Sequence, residues 1–120
     1  MAAQPRLTTT VSSSFPLACK SVSLYNSDCW SVTKVGCLVA VLASGIKTSS
    51  DSWASIDCPY VIEESLRPGR DHCSDMTVEN GGSHTRQLVV MSNGTIRVRN
   101  LGSTGSPDNS GGSLVYPIGL

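Results

Sequence analysis

One hundred and twenty residues carrying nine basic and nine acidic side chains describe a single domain without charge excess. That balance leaves no basic stripe for nucleic acid and no Lys/Arg cluster for a membrane surface, and no segment approaches the roughly 20 apolar residues of a membrane span. Twenty Ser, nine Thr and eleven Gly favour strands and loops, and no window holds a sustained helical apolar stripe.

Residues 1–20, MAAQPRLTTTVSSSFPLACK, lack the apolar h-region of a signal peptide. They read as an extended, Ser/Thr-rich arm ahead of one β domain over residues 21–120. SVSLY at 21–25 alternates as a strand does. In CWSVTKVGCLVAVLASGIKT, Gly36 interrupts a β-rich run, which predicts a bulge or tight turn between strands near 29–35 and 37–43. Cys37, Val39 and Val41 point one way and Leu38, Ala40 and Leu42 the other, so that second strand is expected at the centre of a sheet. A polar loop over 47–57 carries Trp53. CPYVI at 58–62 reads as a short strand, and EESLRPGRDHCSD at 63–75 as a connection. A strand begins near Met76–Glu79. GSTGSPDNSGGS reads as a low-complexity loop before the closing strand LVYPI. About seven or eight short strands at this spacing predict an all-β, antiparallel β-sandwich of jelly-roll-like kind.

QLVVMSNGTIRVRN, residues 87–100, holds the strongest local signal. Asn-Gly between β-rich runs predicts a two-residue type I′ hairpin. Met91 then faces Ile96, Val90 faces Arg97, Val89 faces Val98 and Leu88 faces Arg99. Val89, Met91, Ile96 and Val98 share the core face. Leu88, Val90, Arg97 and Arg99 share the other, which makes them candidates for a subunit interface.

Chemistry is sparse. Neither Gly-x-Ser-x-Gly nor a phosphate-binding glycine loop occurs. Glu63 and Glu64 are adjacent, so in a strand they point to opposite faces and cannot flank one glycosidic bond. The five cysteines, at 19, 29, 37, 58 and 73, form no Cys-x-x-Cys pair. They read as reduced, mostly buried thiols, Cys37 among them. Asp71, His72, Cys73 and Asp75 include metal-capable types but fall short of a tetrahedral site. No catalytic set, metal or cofactor is expected. The candidate glycan-binding residues are Trp53, Arg70, Asp71 and His72: an aromatic face covers the apolar side of a sugar, and charged neighbours bond its hydroxyls. A core role for Trp53 competes with that reading.

The order of motifs resembles small C-terminal modules of bacteriophage tail-fibre, baseplate and head-fibre proteins. The residues that carry it are Val35-Gly36, Val39, Val41 and Gly45-Ile46, then Leu66-Arg67-Pro68, then Leu88 to Val98 around Asn93-Gly94. It spans residues 29–120, and VIEESLRP departs from the usual Leu-Pro shortly before Arg-Pro. The resemblance implies a non-catalytic β-sandwich, a homotrimer, displayed on the outside of a virion assembled in the bacterial cytoplasm. The arm would then dock on other virion proteins of the capsid or tail, and host cell-surface glycan is the expected ligand. A head-decoration protein or head-fibre knob is the leading expectation. The alternatives are a tail-tip or baseplate receptor-binding subunit and, from another class, a secreted carbohydrate-binding module.

Overall fold

A computed structural model describes residues 20–49, 51–79, 86–101 and 109–120. The expected arm lies outside the described residues, Lys20 excepted. In chain order the strands are β1 (Ser21–Asn26), β2 (Trp30–Val35), β3 (Leu38–Ile46), β4 (Ser55–Asp57), β5 (His72–Asp75), β6 (Thr77–Val78), β7 (Arg86–Val90), β8 (Ile96–Asn100) and β9 (Ser110–Pro117). They form two antiparallel sheets, ordered β1-β2-β3-β9-β6 and β4-β8-β7-β5. The chain is therefore an all-β sandwich, as its composition predicts.

Alternation builds the core. Trp30 and Val32 of β2, Val39, Val41 and Ala43 of β3, and Leu114 and Tyr116 of β9 point inward from the larger sheet. Leu88 and Val90 of β7 and Ile96 and Val98 of β8 meet them from the smaller one, each with no exposed surface. β3 lies in the middle of its sheet, as expected, yet its second face is open: Leu38 and Leu42 are exposed. Val35 pairs with Leu38, so Gly36 and Cys37 form a two-residue turn, and Gly36 takes a φ of 60°. Only glycine enters that region without steric cost. Cys37 consequently sits at a turn and is exposed, contrary to expectation.

The β7–β8 hairpin is real but its register differs by one residue. Val90 pairs with Ile96 and Leu88 with Val98. Gly94 alone has positive φ, 91°; its N–H donates to the Met91 carbonyl at 2.9 Å, while the Met91 N–H donates to Thr95 at 2.8 Å. The loop is thus a turn over Met91–Gly94 closed by a glycine bulge, the three-residue alternative to the type I′ hairpin. A one-residue slip moves a whole strand's side chains to the other face. Leu88 and Val90, expected at a subunit interface, therefore fill the core. Arg97 and Arg99 remain outside, beside Gln87 and Val89.

The reason for this register lies some thirty residues upstream. Gly94 is pressed against residues 62–67: a Cβ there would come within 2.5 Å of the Ile62 oxygen and 2.7 Å of Arg67 Nε. Ile62 N–H donates to the Gly94 carbonyl at 2.9 Å, and Arg67 Nε donates to the Ile62 carbonyl at 2.7 Å. The Arg-Pro segment and the Asn-Gly turn are thus one lock.

Residues 58–62, expected as a strand, bend at Pro59 and form no ladder of their own. Cys58 still donates to Ile96, but the next bond across comes from Ile62, to the Gly94 carbonyl, so the regular pairing with β8 stops. The ladder residues are 55–57 instead. The connection ahead of β5 contains a single 3-10 turn, Glu64–Leu66, and its end is itself β5.

Candidate functional site

The outer face of the smaller sheet is polar and holds one exposed indole. Trp53 is 57% exposed and has a φ of 59°, the only non-glycine residue with positive φ among the described residues. It is the third residue of a turn in which Ala54 N–H donates to the Asp51 carbonyl at 3.3 Å, the place where turns of this kind take Gly or Asn. A side chain in the left-handed region costs about 1–2 kcal/mol, so the surrounding structure must hold it there.

Asn100 supplies that hold. Its Nδ2 donates to the carbonyls of Ser49 and Asp51, both at 2.8 Å. Its N–H donates to Ala54 at 2.8 Å. Its Oδ1 accepts from the Thr48 hydroxyl at 2.7 Å and from Arg86 Nε at 3.1 Å. Arg86, 1% exposed, reaches across to the other sheet and donates to Ser110 Oγ at 3.0 Å and the Ile46 carbonyl at 3.4 Å. Each partner satisfies a group whose burial would otherwise be costly. The turn that presents Trp53 is thereby anchored in the core rather than left as a free loop.

On the surface, the Arg99 guanidinium lies 5.8 Å from the Trp53 ring centroid, within cation–π range. Arg99 also donates from Nε and Nη2 to Gln87 Oε1, at 3.2 and 2.9 Å. Next along β8, Arg97 grips Asp57 with two parallel bonds, Nε to Oδ1 at 2.6 Å and Nη2 to Oδ2 at 3.1 Å. That hydrogen bonding and charge hold the Asp57 carboxyl below its ordinary range and push Arg97 up. The result is a flat aromatic beside fixed donors and acceptors. Such a surface can stack a ring and bond the polar groups at its rim; no proton transfer need occur for it to do so.

The structure does not gather the expected glycan set. Trp53 precedes β4, at one edge of the smaller sheet, near the end of β8. Arg70, Asp71 and His72 lead into β5, at the other edge, and His72 pairs with Val90 near the start of β8. Asp71 Oδ1 accepts the Ser92 N–H at 2.9 Å and so buttresses the hairpin turn. His72 turns inward; its ring lies 5.8 Å from that of Tyr116, and its Nε2 is buried without a hydrogen-bond partner. Among the described residues, no three His, Cys, Asp or Glu side chains converge as metal ligands. Nothing local in the sequence marks Gln87, Asn100 or Arg86. The hairpin register is the signal that finds them, because it sets Arg86 opposite Asn100 and Gln87 opposite Arg99. No family model matches the chain, and no curated protein matches it.

Proposed function

We propose that the chain is a non-enzymatic attachment module: a β-sandwich displayed on a bacteriophage particle as a head-decoration protein or head-fibre knob, which holds host cell-surface glycan against Trp53. The observation that carries the binding reading is an exposed tryptophan kept in a strained backbone conformation by a buried polar network. Strain that costs stability and does not fill the core marks a place selected for what it presents. The particle setting rests on the order of motifs, Val35-Gly36, Leu66-Arg67-Pro68 and Asn93-Gly94. Trp53 provides the apolar platform, Arg99 lies over its ring and is itself held by Gln87, and the Asp57–Arg97 pair offers acceptors and donors to hydroxyls.

The test is retention on host cell-wall polysaccharide. Wild type should bind. Trp53→Ala should lose binding while its melting temperature changes by only a few degrees, because more than half of the residue is exposed. A wild type that binds no host glycan, or a Trp53→Ala protein that binds equally well, refutes the glycan reading. Immunogold labelling of particles addresses the setting separately; unlabelled virions refute it.

A further inference from the structure

We infer that the outer face of the five-stranded sheet is a self-association surface, covered by a second copy of this chain. Residues paired across strands share a face, so the pairings identify this surface directly. Leu38 and Leu42 of β3 stand beside Val115 of β9, with Ser31 and Thr33 of β2 and Ser113 of β9 around them. Leu42 and Val115 are 51% and 57% exposed, and Leu38 is 39%. These are three of the eight large hydrophobic residues exposed among the described residues, and the pairings set them on adjacent strands.

The charge pattern is equally uneven. The five strands of this sheet contain one charged residue, Lys34. Lys34 pairs with Val22 and with the buried Val39, so it belongs to the opposite side. The outer face therefore presents only apolar, hydroxyl, amide and backbone groups. The smaller sheet, by contrast, carries Asp57, Asp75, Arg86, Arg97 and Arg99. A solvated sheet face ordinarily interleaves charged residues, and depletion of charge with retained aliphatic side chains is the mark of an interface centre.

Size and neutrality together choose the occupant. Four long strands about 4.8 Å apart, each some 20–30 Å long, give a face of about 450–500 Å² per copy before side-chain relief is counted. Two such faces together bury about 1,000 Å², the threshold that separates a specific interface from a casual contact. A partner with a charged surface would gain nothing here and would lose its hydration. A second copy brings the same neutral, shallow face, which makes the contact self-complementary and closed by symmetry. The expectation of self-association thus moves from Leu88 and Val90, which fill the core, to the other sheet.

The experiment is sedimentation velocity on the full chain across the micromolar range, with Leu42→Lys and Val115→Lys as separate variants. Wild type should associate with rising concentration. Each variant should weaken association at least tenfold while keeping its circular dichroism spectrum and melting temperature. Trp53→Ala, on the opposite sheet, should associate like wild type, which keeps this test independent of glycan binding. Should Leu42→Lys fail to fold, Ser113→Lys, replacing an exposed hydroxyl directly opposite Leu42, takes its place. A wild type that stays monomeric throughout overturns the inference, as does a folded face variant that associates undiminished.

Discussion

Replacing Gly94 with alanine tests the lock between the Arg-Pro segment and the hairpin. The new methyl group would sit 2.5 Å from the Ile62 oxygen and 2.7 Å from Arg67 Nε, well inside contact distance. It also meets a φ of 91°, which costs about 1–2 kcal/mol for a residue with a Cβ. Relief requires residues 62–67 to back away, opening the Ile62–Gly94 bond and straining the Arg67–Ile62 bond. Net losses of about 1 kcal/mol for the first and about 1.5–3 kcal/mol for the charged donor follow from typical values. Lost flexibility of the unfolded chain returns about 0.4–1 kcal/mol. The sum is a destabilisation of about 3–5 kcal/mol, or a fall in melting temperature of more than about 10 °C for a domain of this size. Urea denaturation at 25 °C measures it. Gly36→Ala is the control, since Gly36 has the same sign of φ but open space around it; it should lose only about 1–2 kcal/mol. Equal losses at the two positions would show that the close approach to Ile62 and Arg67 contributes nothing.

Three further outcomes are expected. Asn100→Ala takes one acceptor each from Arg86 Nε and the Thr48 hydroxyl and the amide donor from the Ser49 and Asp51 carbonyls; it should cost about 3 kcal/mol or more in urea denaturation and make the 47–54 segment sensitive to protease. Burial, reinforced by Tyr60, pushes the Tyr116 hydroxyl from 10.0 to about 12. The folded state therefore holds that proton more tightly than the unfolded chain, so this stabilisation is complete below pH 10 and disappears between pH 10 and about 12. The loss is about 2–3 kcal/mol, and Tyr116→Phe should flatten that alkaline limb in pH-dependent melting. Cys37 and Cys73 are exposed and should react with a thiol reagent in the native state, whereas Cys58, buried and with its thiol pushed up, should react only on unfolding.

Sandwich class, the Gly36 turn and the central place of β3 follow from alternation and glycine placement, which are local properties of the chain. The core face of β8 is likewise legible from Ile96 and Val98. The face of β7 is not, because Asn-Gly suits two loops that differ by one residue, and the choice between them is made by Ile62 and Arg67. Trp53 is recognisable as a polar-loop aromatic. Its working partners are not: Gln87 and Arg99 lie 34 and 46 residues later and reach it only through the observed register. Chemical type alone groups Arg70, Asp71 and His72 with Trp53, whereas the sheet order sets them at the opposite edge.

The two ends of the β7–β8 hairpin do different work. At one end Gly94 fastens the turn to the preceding segment; at the other Asn100 fastens the Trp53 loop. Six residues of extended chain set the two about 20 Å apart, beyond the range over which substitutions ordinarily couple. A lineage carrying this fold can therefore rewrite residue 53 and its neighbours, trading one ligand for another, without renegotiating the lock on which folding depends. The conservative and the experimental parts of the molecule occupy opposite tips of a single ribbon.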